Sequence, residues 1–494
     1  MLDALFNFDL FTLAFVILGL LFLLKLVYVP NNGPPGPRGY PLVGNFPLFL
    51  SGSKTKLFEQ LRQCYGDVFS LQLGSKRMVV INGYETLKEA FVKRADVFSD
   101  RPVDDLISKR SHNCKGIVRS SGNLWKQTRA FSLQALREFG FGKRSLETKI
   151  LEEVSVFLDI IGGKCGDAFS LGKIAQISVS NIICSISFGE RYAHEDKTFK
   201  ELMLMIDDHV MLLTKSAITN FFPVLRYLPG DVTHIEEMSR NYDNIKSAMQ
   251  QQIDRHRATF QSGNIRDLID AFIEEEIKRG KNEYLEDANL LIVLSNLFVA
   301  GTETTATTIK WAILFLLHNA CVQKKLRDEI TEVIGSSRLP SMTDKPKMVY
   351  TDAFIHETLR MGNLVPLSLL HGVKHDTDFK GYKIRKDDLV VPNLDSALFD
   401  ETLFTDPHTF NPERFIGEDG QLNGKERTVL AFSLGRRVCF GESLARMELF
   451  LFLTSLIQRF KLLPADDENL PTLEPISGVV NYPQDFKIKA VKIT

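Results

Sequence analysis

Paired cysteines are missing from this sequence. Its six cysteines (Cys64, Cys114, Cys165, Cys184, Cys321 and Cys439) are scattered, with no Cys-x-x-Cys among them. That pattern excludes a disulfide framework and the usual zinc spacings, and it fits reduced thiols facing the cytosol. Asn-x-Ser and Asn-x-Thr are also absent, which agrees with a body never exposed to the secretory lumen. Neither sign of charge is in excess, with 60 Lys and Arg against 61 Asp and Glu. Such balance argues against nucleic acid as a partner. From Phe46 onward there is no low-complexity linker and no internal repeat. Length alone, at 494 residues, suggests about three domains.

A long apolar run is present. Leu10 to Val29 is 20 residues with one charge, Lys25. As a helix it spans about 30 Å, the thickness of a hydrocarbon core. Lys25 lies near one end, where it can snorkel to headgroups. Asp3 and Asp9 precede the run, and Lys25 and Arg38 follow it. The positive-inside rule then puts the rest of the chain on the cytosolic side. A cleaved signal peptide would need a basic start and a small-residue cleavage site. The reading is an uncleaved transmembrane anchor over residues 1–29. Pro30-Asn31-Asn32-Gly33-Pro34-Pro35-Gly36-Pro37 cannot be helix. It reads as a stiff hinge, residues 30–45, ahead of a body over residues 46–494.

Within the body, Asp67–Leu73 and Arg77–Asn82 alternate like strands. Leu146–Ile161, Phe199–Leu213, Ile235–Gln261 and Ile265–Arg279 have helical spacing. Glu286–Asn319 reads as one helix of about 34 residues, roughly 50 Å long. Its middle, Leu290–Ala300, is apolar nearly all round, hence buried. Ala300-Gly301-Thr302-Glu303-Thr304-Thr305 follows directly, where Gly and Thr weaken the helix. Thr hydroxyls there can bond back to carbonyls one turn earlier and bend it. Small polar residues of this kind also suit a helix crossing. The fold class is mainly α with small β-sheets, one early and further strands late.

Phe432-Ser433-Leu434-Gly435-Arg436-Arg437-Val438-Cys439-Phe440-Gly441 reads Phe-x-x-Gly-x-Arg-x-Cys-x-Gly. Five fixed residues would recur by chance with odds of roughly 1 in 10,000. The stretch resembles the haem-ligand loop of the cytochromes P450. The resemblance extends from about Pro34 to the end, and it implies one P450 fold behind the anchor. It implies haem b held by the Cys439 thiolate, which favours cleavage of a bound O–O bond. Gly435 and Gly441 would let backbone N–H groups turn toward the sulfur. A helix starting near Leu444 would aim its positive end there. Phe432 would shield the sulfur, and Arg437 suits a haem propionate.

The same resemblance assigns other residues. Trp125 and Arg129 share a helix face and match the family's propionate-binding Trp-x-x-x-Arg. Arg101 and His371 match further propionate partners. Ala300-Gly301-Thr302-Glu303-Thr304 matches the segment over the distal haem face. There Gly301 would leave room for O2, Thr304 would position water, and Glu303 would help deliver protons. Glu357-x-x-Arg360 with Pro412-Glu413-Arg414-Phe415 matches a buried structural triad behind the haem. Arg119 stands where the family has a large apolar residue. It reads as a partner for an acidic substrate, as solvent-facing, or as one more propionate contact. Ala431 replaces a common proline before Phe432.

The implied activity is that of a haem-thiolate monooxygenase like the animal microsomal P450s of family two. One atom of O2 would enter a lipophilic substrate such as a xenobiotic, fatty acid or steroid. NADPH would act indirectly, through a flavoprotein NADPH–cytochrome P450 reductase, with cytochrome b5 as an additional donor. Lys126, Arg137, Lys143, Arg144, Arg436 and Arg446 could form the docking face. The implied location is the endoplasmic reticulum membrane, with the catalytic body in the cytosol. A P450-fold peroxide isomerase or lyase and a non-enzymatic haem-thiolate sensor are the alternatives. Both fit less well with an intact Glu303–Thr304 pair.

Overall fold

A computed structural model describes residues 13, 16–19, 32–49, 54–102, 114–139, 144–466 and 468–493. Most of the apolar run Leu10–Val29 therefore lies outside the described residues, as do Lys143 and the segment 103–113. The described helices used below are α1 (Lys54–Tyr65), α2 (Gly122–Glu138), α3 (Arg144–Gly162), α4 (Gly172–Ser187), α5 (Lys197–Ser216), α6 (Ile235–Thr259) and α7 (Leu268–Arg279). They continue with α8 (Asp287–His318), α9 (Ala320–Val333), α10 (Val349–Gly362) and α11 (Glu442–Arg459). Strands β1 (Val68–Leu73), β2 (Lys76–Ile81) and β3 (Leu389–Pro392) form one sheet in that order. β1 and β2 are antiparallel, whereas β3 joins β2 in parallel, with Val79 opposite Val390. Late in the chain, Phe460–Pro464 pairs antiparallel with Ile488–Lys492.

The expected periodicities and the elements agree closely, and at two helix starts a side-chain cap sets the boundary. The helix expected from Ile265 starts at Leu268, because the Asp267 carboxylate accepts from Ile269 N and Asp270 N at 2.9 and 3.1 Å. Asp196 caps α5 in the same way, accepting from Phe199 N at 2.8 Å. The proline-rich stretch is laid against β1. The Pro35 carbonyl accepts from Ser70 N at 2.7 Å, and the Pro34 carbonyl from Ser70 Oγ at 2.8 Å.

One apolar cluster holds most of the buried side chains, reaching from Val68 to Ala490. The several domains suggested by length do not appear among the described residues. The reason is α8, an apolar spine that packs against α4, α6, α10 and α11 together. Among the described residues α8 alone is long and apolar enough to cross a membrane, but 61% of its apolar window is buried inside the protein.

Behind that spine lies a charged core. Arg360 is bonded through two nitrogens to Glu357, both at 2.8 Å, and neither side chain is exposed. Arg414 Nε reaches Glu357 Oε1 at 3.1 Å, and its other nitrogens bond the carbonyls of Thr405, Asp406 and Thr409. The Glu-x-x-Arg and Pro-Glu-Arg-Phe segments thus meet in space.

Candidate active site

A mostly apolar cavity lies between α8 on one side and the Phe432–Gly441 loop with the start of α11 on the other. Ala300, Gly301 and Thr304 line the first wall, and Phe432, Cys439 and Gly441 the second. Arg101, Arg129 and Arg437 reach it from the side.

The loop is held by tight backbone contacts. Gly435 has φ +74°, and a Cβ there would lie 1.8 Å from the Phe91 carbonyl oxygen. Only glycine fits. Cys439 N–H donates to the Phe432 carbonyl at 2.9 Å, and the Arg446 guanidinium sits over the Phe432 ring at 5.0 Å. Gly441 turns its N–H toward the Cys439 sulfur without an unusual backbone. Its φ of −94° is open to any residue, and a Cβ there would meet nothing within 4 Å. What glycine leaves at 441 is space beside the cavity, not an unusual turn.

The Cys439 thiol is exposed to the cavity, yet it lies deep within the protein. Burial pushes its pKa up, and the Glu442 carboxylate adds to that. The backbone N–H groups of Gly441 and Glu442, and the Arg129 charge, pull the other way. Those N–H groups belong to the start of α11, where unpaired donors gather.

Three arginines converge, and the Asp100 carboxylate acts on Arg437 without a salt bridge to it among the described residues. Arg101 Nε and Nη1 donate to the carbonyls of Val118, Leu369 and Leu370 at 2.8–3.1 Å. Arg437 Nε and Nη2 donate to Ser99 O and Ser120 O, each at 2.7 Å. Arg129 Nη2 donates to Val438 O at 2.8 Å. Among the described residues none of the three forms a salt bridge. Burial, then mutual repulsion, holds Arg101 well below its usual range. Burial brings Arg437 down to about 9, with the Asp100 carboxylate opposing and Arg129 adding to the fall. Trp125 packs under Arg437 at 4.0 Å, and its buried Nε1–H has no partner among the described residues.

Buried cations without a salt-bridge partner are costly, and an orphaned buried donor is rare. Together they describe a place for an anion with several acceptor oxygens. The two carboxylates of haem, with a thiol facing the cavity, fit this donor set. His371 is buried beside Arg101 and Arg437, and burial first, then the two arginine charges, hold it well below its usual range. Its Nδ1 lies 2.6 Å from the Phe98 carbonyl. A carbonyl only accepts, so Nδ1 carries the proton, and neutral His371 keeps a bare Nε2. Only the charged form could donate to a carboxylate. Arg119 is half-buried and close enough to repel Arg101, but it is not among the residues lining the cavity.

On the opposite wall, Thr304 Oγ1–H donates to Ala300 O at 2.7 Å, and Thr308 Oγ1–H to Thr304 O at 2.9 Å. These back-bonds are the ones expected of the Thr cluster. Gly301 serves two neighbours. It lines the cavity, and a Cβ there would come 2.5 Å from Ile183 Cδ1 of α4. The helix crossing and the open cavity thus require glycine together. Glu303 does not line the cavity. Its carboxylate faces α4 and α5, where Gln176 Nε2 donates to Oε2 at 3.0 Å and Thr307 Oγ1 to Oε1 at 3.2 Å.

Sequence reasoning missed Gln176 and Asp207, which share this polar pocket with Glu303. It also missed Asn289 and Asn296 of α8. Their side-chain oxygens take the N–H groups of Gly116, Ile117 and Val118 at 2.9–3.2 Å. Two asparagines one helical face apart in an apolar run were the available signal.

A family model described as Cytochrome P450 matches residues 34–490. The chain is 38% identical to Cytochrome P450 2B19 of Mus musculus, covering 95% of this chain and 96% of that one. It is 37% identical to Cytochrome P450 2B4 of Oryctolagus cuniculus, covering 98% and 99%. It is 38% identical to Cytochrome P450 2J2 of Homo sapiens, covering 94% and 92%. With a match over the whole body and similarity at nearly full length, the chain belongs to the cytochrome P450 family, beside animal members of family two.

Proposed function

We propose that this protein is a membrane-anchored haem-thiolate monooxygenase acting on a lipophilic substrate, with electrons from NADPH through a flavoprotein reductase. The observation that carries the reading is the Cys439 thiol facing a cavity edged by three arginines that form no salt bridge among the described residues. When bound, the haem supplies activation of O2 at an iron held by sulfur.

Each residue then has a task. Arg101, Arg129, Arg437 and the Trp125 N–H would neutralise and orient the two propionates. The N–H groups at the start of α11 stabilise charge on the Cys439 sulfur, and Phe432 keeps water from it. Thr304 spends its hydroxyl hydrogen on Ala300 O, so its lone pairs remain free to hold a water in the cavity. Val365, Leu369, Leu297 and Val118 give a largely apolar wall that suits a lipophilic molecule. Lys126, Arg137 and Arg436 are exposed and would meet an acidic reductase or cytochrome b5. The apolar run Leu10–Val29 would hold the body at the endoplasmic reticulum membrane.

Reconstitution with NADPH–cytochrome P450 reductase tests this. NADPH consumption matched by oxygenated product is expected. Peroxide rearrangement without reductase would overturn the reading in favour of an isomerase.

A further inference from the structure

We propose that Asp207 of α5 is a positioning residue for proton supply, forming with Glu303 of α8 an acid–carboxylate pair that stores one proton behind the cavity wall. Use of that proton in turnover rests on the monooxygenase reading; the pair itself does not.

The geometry is that of a shared site. The two carboxyl groups are bridged by a single side-chain amide. Gln176 Nε2 of α4 donates to both, to Asp207 Oδ1 and to Glu303 Oε2. Thr307 Oγ1 holds the other Glu303 oxygen at 3.2 Å. Two ionised carboxylates in contact repel strongly, so one of them keeps a proton. The groups facing the pair are Asp208 on α5, Lys173 on α4, Lys310 on α8 and Tyr482 on the strand Asn481–Pro483. Among the described residues neither lysine forms a salt bridge to the pair; Lys310 lies 3.6 Å from Asp485 instead. The pair therefore depends on its own proton for neutralisation.

Burial first, and Asp207 next, raise Glu303 to about 7, and burial also raises Asp207. The proton sits on Glu303 below that pH. Protonation stabilises the fold fully below the ordinary carboxyl range, and this is lost as pH rises through about 7. Thr304, the next residue, faces the cavity, whereas Glu303 faces α5. Because Glu303 does not itself line the cavity, its proton would reach the cavity through water passing Thr304, and Glu303 would then be a carboxylate beside Asp207. That double charge favours recapture of a proton from solvent, on the side where Lys173 and Asp208 are exposed.

Infrared spectra of the full-length holoprotein, titrated in H2O and D2O, read the pair directly. A protonated-carboxyl C=O band is expected to disappear with a midpoint near 7 and to be missing in Glu303→Gln. Glu448 and Asp395 are also held above the usual range by burial; their bands persist in Glu303→Gln, which separates them. Asp207→Asn is expected to lower the Glu303 midpoint by about one pH unit. Should that variant not fold, Gln176→Met removes the shared donor and is expected to raise the midpoint. An unchanged midpoint in the variant that folds, or no band lost in Glu303→Gln, overturns the pair. In reconstituted turnover, Asp207→Asn should increase the share of electrons lost as hydrogen peroxide, with a shifted pH profile. A pair seen in the spectra with an unchanged leakage profile overturns the supply role while leaving the monooxygenase reading intact.

Discussion

Glu357→Ala is expected to destabilise the protein by about 3–5 kcal/mol. The substitution removes one carboxylate and strands two guanidinium groups. Arg360 has no exposed side-chain surface, and the Arg414 side chain is 7% exposed. Arg360 would keep only the Leu398 carbonyl, at 2.8 Å. Asn411 N–H, now 2.9 Å from Glu357 Oε1, would also lose its acceptor. A desolvated charge left unpaired costs far more than a surface pair returns. Lys325, paired with Glu413 at half-exposed positions nearby, is the control. Unfolding by denaturant, or the rate of thermal inactivation, should show a large loss for Glu357→Ala and a small one for Lys325→Ala. Equal effects would mean that the triad is not the pillar described.

Gly435→Ala is expected to abolish thiolate ligation while leaving most helix intact. A methyl group at 435 would lie 1.8 Å from the Phe91 carbonyl oxygen, so either the loop or the Phe91 backbone must move. The left-handed backbone adds a penalty of about 1–2 kcal/mol for any residue with a Cβ. Cys439 is four residues on in the same loop, and its N–H bond to Phe432 would be displaced with it. Gly441→Ala makes the contrast. Its backbone is unstrained and its surroundings empty, so the polypeptide should keep its stability. Only haem affinity should fall, because the methyl group takes space beside the cavity. Circular dichroism and haem content measured on both variants separate the two mechanisms.

Much of this was legible in the sequence, for reasons that differ by element. α8 could be read because burial on all sides leaves an apolar run, and the Thr cluster interrupts it at a defined point. The Cys439 loop could be read because its chemistry needs particular residues at short spacing. The arginine cluster was legible only in part. Arg437 lies inside the loop, but Arg101 reaches Leu369 across 268 positions, and no local pattern reports such a meeting. β3 pairs with β2 over a similar separation, so its place in the sheet was hidden as well. Asp207 was missed because Asp207-Asp208 in an amphipathic helix looks like a solvated face. Its meaning appears only when α5 is placed against Glu303. At Gly441 the N–H does turn toward the Cys439 sulfur, but a sequence does not show that its φ of −94° needs no glycine.

The most direct test of the central claim is the absorption spectrum of the ferrous protein with and without carbon monoxide, beside Cys439→Ala. A thiolate on the iron donates charge and shifts the Soret band of the carbon monoxide complex far to the red. The account predicts that shifted band in the native protein and its loss in Cys439→Ala. A band like that of histidine-ligated haem in the native protein, or an unshifted response to the mutation, would contradict it.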